Sequence, residues 1–221
     1  MSKKEIRFLM IDIRAEQDED GVAYIEGYPI VFNQVTEVGG LFREVIEPDA
    51  VTESMLRDVA LMVGHDFGMI PLAHSRRNNE NSTMRLSIDE HGVKMRSALD
   101  VVNNPRAKEA YSAVKRGDLS GMSFAFTVDK DSWEDLDTER PLRRITGIGK
   151  IYEVSLVAFP AYTGTSVQAA SEGDALDSVV ASLESARKQL EEERAREAEA
   201  ERRRAVLERL KKFTEVSDDE V

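Results

Sequence analysis

The sequence has no cysteine among its 221 residues, which excludes disulfides, thiolate metal sites and a cysteine nucleophile, and leaves the redox compartment open. Histidine is almost as scarce. Any chemistry that needs an imidazole has only His65, His74 and His91 to draw on. Neither an H-E-x-x-H stretch nor any paired-histidine spacing occurs, so a metal mechanism is disfavoured and no cofactor is expected. Positive charge is also short: 30 Lys and Arg stand against 42 Asp and Glu, for a formal net charge of -12 and a pI of about 4.9. Acidic residues run along the whole chain and no cationic face is set aside, so nucleic acid is not an expected partner. No apolar run approaches the length of a membrane span, and Met1-Ser2-Lys3-Lys4-Glu5 leads into a strand-like segment without a long apolar core. Neither a membrane nor a secretory route is expected, and the chain reads as soluble and cytoplasmic.

What is present is enough chain for one domain with a substantial core plus an appendage. Strand-like segments dominate the first 165 residues: Ile6 to Ile13, Val22 to Phe32, Leu41 to Ile46, Val59 to Val63, Ile70 to His74, Met84 to Ile88 and Val93 to Leu99. A short helix is expected from Pro48 to about Arg57. A second has stronger signals, with Asn104 as N-cap, Pro105 at the first helical position, Ala107, Ala110, Tyr111 and Val114 on one face, and Gly117 as the stop. The charged stretch from Asp129 to Arg140 reads as a mobile loop with Trp133 pinning it, and Leu142 to Ile148 and Ile151 to Phe159 read as two strands around Gly149. Beyond residue 166 the composition changes. Residues 167–174 form a polar linker, 175–213 a helix dense in Ala, Glu, Arg and Leu, and 214–221 a disordered tail. Leu176, Leu183 and Leu190 fall seven apart, yet Glu191 to Arg204 offers only alanines, so the helix is either an assembly element or a solvated single helix held by Glu–Arg pairs.

Three segments carry chemistry-bearing side chains. In Gly121-Met122-Ser123-Phe124-Ala125-Phe126 the apolar residues alternate with small ones, the period of a strand, which puts Ser123 on the small-residue face. Ser123 is either a nucleophile, which requires a histidine as its base, or a small residue hydrogen-bonded to a neighbouring strand. The apolar run Val59 to Val63 ends in Gly64-His65-Asp66 and delivers His65 where catalytic side chains are often placed, although a histidine simply closing the strand fits equally well. Glu153 lies in a buried strand and shares a face with Ile151, Ser155 and Val157. A carboxylate there needs a specific partner, either a histidine or one of Arg143 and Arg144. His91 sits in the turn Asp89-Glu90-His91-Gly92, and His74 is either a core histidine or a second member of a site. The serine is outside any G-x-S-x-G elbow, and the order His, Ser, acid differs from that of the chymotrypsin, subtilisin and α/β-hydrolase types.

Taken with Gly27-Tyr28-Pro29-Ile30-Val31-Phe32, the Pro71-Leu72 strand and Glu153-Val154-Ser155-Leu156-Val157-Ala158-Phe159-Pro160-Ala161, these segments resemble the prohead maturation proteases of tailed bacteriophages, serine peptidases related to the herpesvirus assembly proteases. The resemblance covers residues 5 to 165. It implies a mainly β fold with flanking helices (α+β), a herpesvirus-protease-like β-barrel followed by the long C-terminal helix. It makes Ser123 the nucleophile, His65 the general base and Glu153 the acid that orients it, with His74 and Asp66 as alternatives for the third role. Ala125 stands where the family often has glycine. The function implied is an endopeptidase inside the phage procapsid, in the host cytoplasm, that trims scaffolding protein or the scaffolding segment of the major capsid protein precursor, and itself. The C-terminal helix would recruit it there, and dimers are implied by the herpesvirus relatives. The competing class is a non-enzymatic scaffold or capsid-assembly protein on the same fold.

Overall fold

The computed structural model describes residues 4–9, 13–158, 166–167 and 173–218. Two compact units divide the chain, Met1–Ser178 and Val179–Val221.

The first unit is built from β-sheet in which a single hairpin sets the frame. Strand β10 (Gly121–Glu134) pairs antiparallel with β11 (Leu142–Val157), register Ser123 to Ser155 and Trp133 to Arg143. The first half of the segment expected to be a loop, residues 129–134, is therefore strand, and the two strands expected around Gly149 are one. Charge pairing across the hairpin explains the first difference, since Arg143 bonds Asp131 at 2.6 Å and Arg144 bonds Glu134 at 2.9 Å. Trp133 packs edge-to-face on Phe42, ring centroids 5.3 Å apart. Gly149 is a point of close approach, because a Cβ there would collide with Asp129 and with Thr127 Oγ1. It marks a bulged stretch of one strand.

On its other edge β11 serves two partners in turn. Strand β5 (Phe42–Ile46) runs parallel along Leu142–Ile145, and β6 (Ala60–Val63) runs parallel along Glu153–Leu156. Strands β1 (Lys4–Leu9), β4 (Thr36–Val38), β7 (Ala73–His74) and β12 (Ser166–Val167) complete the eight-stranded sheet, in the order β1-β10-β11-β5-β4-β12, with β6 alongside β11 and β7 paired to β6. A second sheet is formed by β2 (Arg14–Gln17), β3 (Ala23–Val31), β9 (Gly92–Leu99) and β8 (Met84–Ile88), in that order. The expected mainly β, α+β class with a C-terminal helix is what the chain adopts, but the barrel is not. A barrel needs every strand paired on both edges; here β2, β3, β9 and β8 satisfy one another in a separate sheet, and among the described residues no ladder joins β1 to β12.

Helix α1 (Pro105–Arg116) has the predicted ends. The Asn104 side chain accepts from the N–H groups of Arg106 and Ala107, and Gly117, at φ +80°, donates to the carbonyls of Ala113 and Val114. Ala107, Ala110 and Val114 are buried in a core with Leu61, Met122, Phe124, Val154 and Leu156. The expected helix at 48–57 is instead two 3-10 turns, Pro48–Ala50 and Glu53–Leu56, because Val51 and Thr52 between them are extended. Helix α2 (Gly173–Asp218) starts earlier and ends later than the sequence suggests, and its residues 191 to 209 are all exposed. Glu199 and Arg203 pair along it at 2.7 Å. Most of the 167–174 linker, Pro160 and residues 219–221 lie outside the described residues. Among the described residues no helix is long and apolar enough to cross a membrane.

Strands β1, β5, β10 and β11 are also joined by a buried ion network. Arg7 bonds Glu44 at 2.6 and 2.8 Å and Glu5 at 2.6 Å, and Arg143 bonds Glu5 at 2.7 Å, Glu44 at 3.1 Å and Asp131. Two strands, β10 and β11, lie between β1 and β5 in the sheet order, so the Arg7–Glu44 pair requires the sheet to curl. Burial alone would raise the Glu44 pKa. Attraction and hydrogen bonds from Arg7, and then from Arg143, outweigh burial and hold Glu44 below the usual carboxylate value. The stability this contributes is fully present above the unfolded pKa of about 4.3 and is lost as pH falls through the lower folded value. Removing one partner of such a pair leaves uncompensated buried charge, at a cost of about 3–5 kcal/mol. Arg143→Met is expected to lower Tm by about 6–20 °C at neutral pH and to make the acid limb of the Tm–pH curve shallower, both readable by calorimetry.

Candidate active site

Ser155 is the residue from which the site is most easily built. It lies on β11 directly opposite Ser123 of β10 and in register with Met62 of β6. Cross-strand partners share a face, and Glu153, two residues before Ser155, shares it too. Leu61, Met122, Phe124, Val154 and Leu156 lie on the other face, in the core. The strand pattern thus sorts the chain into one apolar face and one carrying Ser123, Ser155 and Glu153, all three fully buried.

β6 ends at Val63, and the chain then turns sharply through Gly64 and His65, both at φ +60°. A positive φ at histidine costs of order 1–3 kcal/mol and persists only where its surroundings hold it. Here the Gly64 N–H donates to the Leu156 carbonyl at 3.1 Å and the His65 N–H donates to Ser155 Oγ at 3.0 Å. The turn brings the His65 ring back over β11, where Nδ1 lies 2.6 Å from Glu153 Oε1. The other carboxylate oxygen, Oε2, accepts from the Ser155 hydroxyl at 2.6 Å. A carboxylate can only accept, so in the neutral ring Nδ1 carries the proton and Nε2 keeps its lone pair. Nε2 is shielded from solvent. Arg143 and Arg144, the other partners considered for Glu153, are engaged with Glu5, Glu44 and Asp131 and with Glu47 and Glu134.

Ser123 is one strand further along the same face. Its hydroxyl donates to the Arg7 carbonyl of β1 at 2.8 Å, so in this conformation it stitches β10 to its neighbour. β1 is in turn tied to the turn after His65, with Lys4 Nζ 3.9 Å from the centre of the Phe67 ring. The structure therefore brings His65 and Glu153 into direct contact and places Ser123 opposite Ser155, which bonds both, with the Ser123 hydroxyl directed toward β1. The alternatives for the third role lie elsewhere. Asp66 Oδ1 accepts from the Gly68 N–H at 3.1 Å, and Asp66 lines a cavity of about 390 Å³ with Met62, Leu72, Ala113 and Leu119. His74 accepts the Arg76 N–H on Nδ1 at 2.9 Å, and its Nε2 is 3.5 Å from Asp58. His91 stacks edge-on against Tyr28 in its turn. Sequence reasoning missed Ser155 and the Arg7 carbonyl. The two-residue spacing of Ser155 from Glu153 was a signal for the first, and nothing in the sequence marks the second. No group of three or more His, Asp or Glu among the described residues is placed to hold a metal.

A histidine fixed by a buried carboxylate, with a serine on the same sheet face, is the equipment of hydrolases that work through a serine nucleophile. The family model described as caudovirus prohead serine protease matches residues 10–178, and the chain belongs to that family. It is 26% identical over 157 residues to the prohead protease of Enterobacteria phage HK97, an alignment that takes in 70% of this chain and 63% of that protein. This chain thus spans less than two thirds of that relative's length. The capsid assembly protease of bacteriophage T4, gp21, is similar at 13% identity over 70% of this chain and 99% of that one, with a TM-score of 0.34, too weak a likeness to define a common fold.

Proposed function

We propose that the chain is a phage prohead maturation endopeptidase in which Ser123 is the nucleophile, His65 the general base and Glu153 the residue that orients it. The observation that carries this reading is the 2.6 Å contact between His65 Nδ1 and Glu153, with Ser123 on the same face one strand away. In this reading the Ser123 hydroxyl leaves the Arg7 carbonyl and turns its proton toward Nε2 for the reaction. As Oγ attacks the scissile carbonyl carbon, Nε2 takes that proton; when the tetrahedral intermediate collapses, it passes to the leaving amine. Water then repeats the sequence on the acyl-enzyme and frees the serine. Throughout, the Glu153 carboxylate holds the Nδ1 proton and favours the imidazolium that forms.

The family and the relatives' names support capsid-assembly proteins as substrates: the scaffolding protein, or the scaffolding segment of the major capsid protein precursor, cut inside the procapsid in the host cytoplasm. The competing reading, a non-enzymatic assembly protein, draws on the Ser123–Arg7 bond, which is what a purely structural serine would make. Intact-mass spectrometry of the full chain, alone and coexpressed with the capsid precursor, separates the two. Time-dependent truncation of the precursor is expected. No cleavage in solution or in assembled shells would overturn the peptidase reading.

A further inference from the structure

The Ser155 hydroxyl makes two bonds that act on the same pair of residues. It donates to the Glu153 oxygen that His65 does not use, and it accepts the backbone N–H of His65 itself. One proton and one lone pair thus join the base's backbone to the base's carboxylate. The join sits on β11, the strand that pairs with β10, bearing Ser123, on one side and with β6, leading to His65, on the other. His65 is a non-glycine residue at φ +60°, so its backbone needs such a restraint to stay where its ring meets Glu153. The Ser155 hydroxyl is the donor to Oε2, so it fixes the orientation of the carboxylate whose other oxygen meets the ring.

We propose that Ser155 is a positioning residue that locks the backbone of His65 and the carboxylate of Glu153 in one arrangement, so that His65 presents an unprotonated Nε2. The proposal rests on the reading of His65 as general base. Ser155 transfers no proton in the reaction; its hydrogen stays on its own Oγ, directed at Glu153 Oε2.

The test uses the full chain and four forms: wild type, Ser155→Ala, and the isosteric pair Ser155→Thr and Ser155→Val, which differ by the hydroxyl alone. With only three histidines, ring ¹⁵N spectra of histidine-labelled protein resolve the tautomer of each. Wild type and Ser155→Thr are expected to hold His65 in the Nδ1–H form, and Ser155→Ala and Ser155→Val to show a mixture of tautomers. Cleavage of the capsid precursor, measured at limiting and saturating precursor, is expected to lose roughly 10- to 100-fold in kcat in the hydroxyl-less forms, with KM within about twofold. Unchanged tautomer and kcat in Ser155→Ala would overturn the proposal. If that variant does not fold, identical behaviour of Ser155→Thr and Ser155→Val would do the same. Wild type that cleaves nothing would remove the peptidase reading, while the tautomer comparison would still decide the role of Ser155.

Discussion

Ser123→Ala is expected to abolish cleavage of the capsid precursor, with kcat lower by on the order of 10⁶, the loss that removal of the nucleophile produces in serine hydrolases. The variant removes one oxygen from a fully buried site and with it the hydrogen bond to the Arg7 carbonyl. A net bond of that kind contributes about 1 kcal/mol, so the protein should remain folded and Tm should fall by only a few degrees. The nearby Ser120 is exposed, outside the strand and without a part in the site, and Ser120→Ala should cleave like wild type. Intact masses of the precursor over time compare the three. Truncation in wild type and Ser120→Ala but not in Ser123→Ala is the expected pattern. Truncation persisting in Ser123→Ala would mean that another group attacks, or that the serine only ties β10 to β1.

How far the sequence reached is clearest at Glu153. A carboxylate inside an apolar strand pattern had to have a partner, and burial energetics limited that partner to a histidine or an arginine. Which one it meets depends on β6 lying beside the second half of β11 while β5 lies beside the first, and no local pattern encodes that choice. The same holds for Ser155 and the Arg7 carbonyl, whose roles arise from register between strands far apart in the chain. Helix α1 was legible to the residue because its caps are local: Asn104 and Gly117 act within a turn of their own positions. In the 129–140 segment the first half was misread because its charges looked solvated, when Asp131 and Glu134 are paired with Arg143 and Arg144 across the hairpin; residues 135–140 are the turn. The open sheet was illegible for a related reason. Strand patterns give faces, and closure depends on whether the last edges meet.

Glu153→Gln should be the most informative change at the site after removal of the nucleophile. Both partners of the carboxylate are donors: His65 through Nδ1–H and Ser155 through its hydroxyl. Glutamine has almost the same shape but offers one acceptor and one donor, so one of the two contacts must fail. With its oxygen toward His65, its NH₂ faces Ser155, whose hydroxyl proton then has to leave its partner. With its NH₂ toward His65, the ring must present an unprotonated Nδ1 and carry its proton on Nε2, which removes the base. In the Ser-His-Asp template the equivalent amide costs about 10⁴ in kcat through the wrong tautomer. A loss between about 10² and 10⁴ is expected here, according to how the two orientations divide, with the Nε2–H form of His65 visible in the ring ¹⁵N spectrum. Residues that act as one unit are not additive. In the Glu153→Gln background, Ser155→Val should therefore cost less than about threefold in kcat, well below its cost in wild type, because the arrangement it maintains is already lost. A full additional loss in the double variant would mean that Ser155 acts on something other than the His65–Glu153 pair.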